Sequence, residues 1–223
     1  MTRELSIFAW PEVAERAGRT ILAVPLGSTE QHGPHLPLST DTDIAVELSK
    51  RLAAAVPEVL MTPPIHFTAS GEHSGFPGTL SIGQVALELL LVELCRSADA
   101  FAGVVLVSTH GGNRDTAIRA VRRLRSEGRS VACWFPVNGE PADSHAGWTE
   151  TSCLLSIRPE AVRRDRIHAG NTSPLADLLP SLRRSGVASV SPSGVLGDPR
   201  GSSASAGDEL LRRWAAELVL TVR

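Results

Sequence analysis

Four short apolar runs mark the chain, over 20–25, 59–65, 103–108 and 130–135, and each is uniform enough to be a strand buried on both faces. Between them lie longer stretches, 43–55, 82–98 and 113–126, where apolar residues return every three or four positions, as on a helix with one buried side. A last helical stretch, 206–220, brings Leu210, Leu211, Trp214 and Leu218 together at helical spacing and makes Trp214 a core residue. Strands alternating with helices of crossover length predict an α/β fold with a mostly parallel central sheet flanked by helices. No internal repeat or low-complexity linker interrupts the 223 residues, so a single domain over 1–223 is expected. The segment 136–147 reads as an active-site loop. The Ser-, Gly- and Pro-rich segment 189–207 reads as a mobile or interface-forming loop.

Composition narrows the function more than the fold. With 22 Lys and Arg against 24 Asp and Glu, the formal charge of -2 gives no electrostatic reason for a nucleic acid or an anionic membrane as partner. Arg122, Arg123, Arg125, Arg183 and Arg184 are read as solvated helix or loop faces. Residues 1–10 lack a charged start followed by an apolar core, and no apolar run reaches the ~18 residues of a membrane span, so a cytoplasmic location is expected. Cys95, Cys133 and Cys153 are an odd set without Cys-x-x-Cys spacing, which argues for buried free thiols rather than disulfides or a thiolate metal site.

The chemistry concentrates in three places. The segment 25–41, PLGSTEQHGPHLPLSTD, follows an apolar run and packs Glu30, His32 and Asp41 into one loop, half of a metal site by its donor types. Imidazole nitrogen with carboxylate oxygen suits zinc, iron or manganese, and a carboxylate can bridge two ions. The second place is 103–113, GVVLVSTHGGN, a strand ending in His110 at the carboxyl edge where parallel sheets bind ligands. The third, 143–152, DSHAGWTETS, adds His145 and Glu150. Gly111 and Gly112 could alternatively form a phosphate-cradling turn, but there is no third glycine or Lys-Ser/Thr pair, and Glu30, His32 and Glu150 would have no role.

In order and spacing these three segments resemble the creatininase family. ASGEH at 69–73, FPGTLSI at 76–82, AGN at 169–171, LLPSLRR at 178–184 and GVLGDP at 194–199 are similar to one branch of it, the creatininase-like peptidases of the mycofactocin system, over about 21–207. The resemblance implies a creatininase-like sandwich and a metal-dependent hydrolase that removes a C-terminal Val-Tyr dipeptide from a modified ribosomal precursor peptide. It implies two divalent ions, zinc or iron(II) with manganese also accommodated. Glu30, Asp41 and His110 would hold one ion and His32 and Asp41 the second, with Asp41 bridging. It further implies His145 as the residue that protonates the leaving nitrogen, and a homo-oligomer. Creatininase itself takes a ligand from the position of Gly112, so Glu150 is expected to complete the second site, as ligand and catalytic residue. Ser108 and Thr109 replace the residues usual before the histidine without removing a ligand.

Other residues have plainer readings. Asp43 is expected to cap the helix after it, His66 and His168 to be surface or satisfied histidines, His35 to lie outside the ligand shell, and His73 either to be a satisfied histidine or to stand near substrate. Two other functions fit the same motifs: hydrolysis of a small cyclic or formyl amide, and a non-catalytic binder that keeps metal for stability.

Overall fold

The computed structural model describes residues 3–137 and 143–222. Four parallel strands, β1 (Ile21–Leu26), β2 (Val59–Met61), β3 (Gly103–Ser108) and β4 (Val131–Trp134), form one sheet in the order β2-β1-β3-β4. β1 and β3 pair along their whole length, from Ile21 opposite Gly103 to Leu26 opposite Ser108. The expected strand over 59–65 is shorter. It ends at Met61, since Thr62, Pro63 and Pro64 follow and proline has no N–H for a ladder, and Ile65 rejoins the sheet only through an isolated bridge to Leu26.

Seven α-helices surround the sheet among the described residues: α1 (Trp10–Ala14), α2 (Thr40–Ala55), α3 (Gly83–Arg96), α4 (Arg114–Ser126), α5 (Trp148–Ile157), α6 (Leu175–Ser185) and α7 (Ala204–Thr221). Side chains alternate across the strands, so the two faces carry different cores. Ala23, Val105 and Val107 face Leu48 and Leu52 of α2, Leu154 of α5 and Leu211, Trp214 and Leu218 of α7. Leu22, Val24, Val104 and Leu106 face Leu87 and Leu91 of α3 and Ala120 and Leu124 of α4. Each such leucine contributes about 1.5–3 kcal/mol relative to exposure, so the two layers supply the main driving force for the fold.

Because all four strands run the same way, their carboxyl ends share one edge. After β1 the chain enters α2 on one face, and after β3 it enters α4 on the other, so a crevice opens between these two central strands. The segment 194–197 borders this edge. Leu196 bridges His145 with both backbone hydrogen bonds, and Val195 is fully buried, so within the expected mobile or interface-forming loop 189–207 the stretch 194–197 is a packed wall. The expected active-site loop 136–147 falls partly on residues 138–142, which lie outside the described residues. Cys95 and Cys153 are buried free thiols as expected, whereas Cys133 is partly exposed. Trp214 is core, and His66 and His168 are exposed.

Candidate metal centre

The crevice gathers residues from five places in the fold. Glu30 and His32 come from the turn-rich loop after β1, and Asp41 from the first turn of α2. His110 follows β3 directly, His145 sits on the bridge to Leu196, and Glu150 lies in the first turn of α5. α2 begins earlier than its apolar periodicity indicates, which places Asp41 within the helix rather than before it. This also corrects the reading of Asp43: Ser39 is the cap residue, and the Asp43 carboxylate instead accepts from Ser39 Oγ (2.9 Å) and Arg158 Nη1 (2.6 Å).

Three sets of side chains converge closely enough to hold an ion: Glu30, Asp41 and His110; His32, Asp41 and Glu150; and Glu30, His32 and His145. Within them, His110 Nδ1 lies 3.1 Å from Glu30 Oε1 and 3.4 Å from Asp41 Oδ2. His32 Nε2 lies 3.6 Å from Asp41 Oδ1 and 3.8 Å from Glu150 Oε2. Asp41 belongs to two sets through its separate oxygens, the arrangement of a bridging carboxylate. Asp41 Oδ2 also accepts from Ser28 Oγ (2.7 Å), which fixes its plane.

The donors fit divalent cations for a reason independent of composition. His32 Nδ1 is 3.1 Å from the Glu30 carbonyl, and His110 Nε2 is 2.9 Å from the Ala69 carbonyl, so the proton of each neutral ring is committed to backbone and the other nitrogen points bare into the crevice. Glu30 Oε1, Glu30 Oε2 and His32 Nε2 are buried without a hydrogen-bond partner. Such orphaned polar atoms are costly. Lone pairs facing lone pairs here call for positive charge among them, and an all nitrogen and oxygen set suits zinc, manganese or iron.

Protonation follows the same demand. Burial opposes a charge on His32, but Asp41, Glu150 and Glu30 outweigh it and raise its pKa to about 9. His110 is raised likewise against its burial, chiefly by Glu30. Burial pushes Asp41 and Glu30 up, yet His32 with His110, and His110 with His73, pull them below the usual carboxylate range. Burial and the Asp41 charge raise Glu150 to about 8, although its Oε2 accepts from the Ala146 amide (2.6 Å). Ala146 makes that bond from a left-handed backbone, φ 51°. Burial and the neighbouring imidazoles hold His145 well below an ordinary histidine, so at neutral pH its ring is uncharged.

Other candidates fall into place around this ring. His73 is buried and its Nε2 lies 3.4 Å from Glu30 Oε1, inside the crevice rather than merely near it. Glu72 is at the rim, 3.7 Å from His110 Nε2, and its Oε1 occupies the space next to Gly112, where an added Cβ would come within 2.3 Å. His35 lies outside the ring, 2.9 Å from Thr151 Oγ1. Thr109 Oγ1 donates to the Asp41 carbonyl (2.8 Å), so the residue before His110 buttresses the start of α2. Gln31 had carried no signal in the sequence, yet its amide is buried between His73 and His145.

A family model described as creatinine amidohydrolase matches residues 7–222. The chain is 53% identical over 207 residues to the mycofactocin precursor peptide peptidase of Mycobacterium ulcerans, covering 89% of this chain and 81% of that one. It is 50% identical over 196 residues to the protein of the same name from Mycolicibacterium smegmatis, covering 85% and 79%. Among solved structures, a creatinine amidohydrolase superposes with a TM-score of 0.84 at 21% identity over 99% of this chain and 96% of that chain. A manganese form of creatininase superposes at 0.82 with 23% identity over 100% and 98%, and both share the fold.

Proposed function

The chain belongs to the creatininase family and is a hydrolase of carbon–nitrogen bonds, and on that premise we propose that it is a metal-dependent peptidase of the mycofactocin precursor peptide, releasing a C-terminal Val-Tyr dipeptide. The observation that carries this reading is the sharing of Glu30, His32 and Asp41 among overlapping ligand sets in which both Glu30 carboxylate oxygens and His32 Nε2 are buried without a hydrogen-bond partner. We assign Glu30, Asp41 and His110 to one divalent ion, and His32, Asp41 and Glu150 to a second, zinc, iron(II) or manganese.

When bound, such ions supply Lewis acidity, polarising the scissile carbonyl and lowering the pKa of water. The chain's own residues then manage the protons. His145, uncharged and with Nδ1 3.8 Å from Glu30 Oε1, can accept a proton from the attacking water and return it to the departing amide nitrogen, so the products are a shortened peptide carboxylate and a free dipeptide amine. Glu150, held by the Ala146 amide, keeps the second carboxylate beside His32. Burial of the ring excludes bulk water from these exchanges.

A homo-oligomer accords with α3, whose outer side exposes Val85 (78%) and Leu89 (55%) next to Leu80 and Ile82. No helix among the described residues is long and apolar enough to cross a membrane, and a cytoplasmic enzyme would meet its precursor where ribosomes make it.

The test is to incubate metal-loaded protein with the modified precursor and weigh the products. Loss of Val-Tyr, abolished by a chelator and restored by metal, is expected. Turnover of creatinine or a formyl amide without any cleavage of the precursor would replace this reading with the small-amide one.

A further inference from the structure

Gln31 is buried, and each of its polar atoms has a defined partner. Oε1 accepts from the Gly33 amide (2.8 Å), and Nε2 donates to the Gly194 carbonyl (3.1 Å), so backbone groups on opposite sides decide which way the side-chain amide faces. Gly194 takes a left-handed backbone, φ 81°, and an added Cβ there would lie 1.9 Å from Gln31 Oε1, so the 191–195 turn closes directly onto the amide. Nε2 is also 2.9 Å from His73 Nδ1 and 3.1 Å from His145 Nε2.

An NH2 group carries two hydrogens, and the Gly194 carbonyl takes one. His145 Nε2 lies 2.8 Å from the Gln31 main-chain carbonyl, which can only accept, so that nitrogen must carry a hydrogen and cannot receive another. The second amide hydrogen therefore goes to His73 Nδ1. It follows that neutral His73 keeps its proton on Nε2, facing Glu30 Oε1 across 3.4 Å, while His145 keeps its proton on Nε2, away from the crevice, and turns a bare Nδ1 inward. The two rings are 4.4 Å apart, so a donor and an acceptor stand side by side on one wall.

We propose that Gln31 is a positioning residue that imposes opposite inward-facing protonation on His73 and His145, giving the crevice one N–H and one bare ring nitrogen. This rests on the peptidase reading only for its catalytic meaning: a bare inward Nδ1 is the form of His145 that can take a proton from water and return it, while the inward N–H of His73 faces the Glu30 carboxylate and steadies it.

The test reads imidazole nitrogens directly. In zinc-loaded, 15N-histidine-labelled protein without substrate, the unaltered chain should show His73 with bare Nδ1 and protonated Nε2, and His145 with protonated Nε2, each assigned by the loss of its signals in H73Q or H145Q. In Gln31→Glu, whose carboxylate only accepts, His73 Nδ1 should become protonated. Gln31→Met, which removes the amide but retains the bulk, should lose the fixed His73 pattern and lower kcat by about 10- to 100-fold with KM within a factor of about two and zinc content unchanged. A protonated Nδ1 on His73 in the unaltered protein overturns the proposal even if both variants fail to fold, as does an unchanged His73 spectrum in Gln31→Met. Because these spectra need no substrate, the sorted pattern in a protein that leaves the precursor intact would remove the peptidase reading and keep the role of Gln31.

Discussion

His32 and His35 lie three residues apart on one loop, and both side chains are fully buried, yet their surroundings drive them in opposite directions. Burial lowers the pKa of each, but Asp41, Glu150 and Glu30 raise His32 to about 9, whereas His35, with the Thr151 hydroxyl and the Ala146 backbone as polar neighbours, is held by burial and the neighbouring histidines at about 4. Desolvation alone therefore does not tell a ligand from a structural histidine; the charges facing the ring do. One side of the loop is built to require positive charge and the other to refuse it.

The largest effect that would sharpen this contrast is on metal binding. Asp41→Ala removes a member of two ligand sets at once, so loss of both ions and a fall in turnover of about 10³-fold or more are expected, measured by metal analysis beside the peptide assay. His32→Gln should lose at least one ion, while His35→Gln keeps full occupancy and nearly full turnover. His145→Ala should keep its metal yet lose most turnover, separating proton transfer from ligation. Equal metal loss in His32→Gln and His35→Gln would erase the distinction between the two sides.

How much of this could be read before the fold was known differs along the chain. The loop 27–41 announced itself because its donors are concentrated in fifteen residues between an apolar strand and a helix. His110 was legible as a residue at a strand end. α5, which carries Glu150, was not seen as a helix: Thr149, Thr151, Ser152, Cys153, Leu154 and Leu155 are all buried, so no polar stripe marks its period. α6 was hidden by Pro180 within it. Gln31 left almost no local trace, because the partners of its Nε2 lie 42, 114 and 163 residues away and only the Gly33 amide is a near neighbour in sequence. Ligands reveal themselves by type and spacing, whereas a residue that orients them is defined by tertiary contacts.

The next effect is on stability without metal. A histidine whose folded pKa is raised stabilises the fold below its unfolded pKa of 6.5, and that contribution disappears as pH rises through about 9. The buried Glu150, raised to about 8, shifts stability in the same direction over the lower part of that range. Metal-free protein should therefore lose on the order of a few kcal/mol between pH 6.5 and 9.5 in urea titrations. Zinc should suppress the loss, because a cation takes the place of the His32 proton. A metal-free stability that is flat or rising over that window would contradict the charge demand assigned to this side of the loop.

On the acid side the sign reverses, and the effect is smaller. His35, depressed to about 4, stabilises the fold above pH 6.5, and its share is lost as pH falls through the folded pKa. His35→Gln keeps a polar group beside Thr151 but cannot titrate, so its melting temperature should fall less between pH 6.5 and 4.5 than that of the unaltered protein. Parallel acid limbs would show that His35 is not one of the groups responsible.

The smallest change isolates the neutral side of the loop from its charge. Thr151→Val removes the one hydroxyl bonded to His35 while keeping the shape of the side chain, and His35 Nδ1 already has no partner. Leaving the ring without that bond should cost about 1 kcal/mol, at the low end for an unsatisfied buried group, because the Ala146 backbone stays within its reach. Metal content should not move, although Thr151 is the immediate neighbour of Glu150. If zinc affinity fell together with stability, the first turn of α5 would transmit strain from His35 to the second ligand set, and the two sides of the loop would be mechanically one.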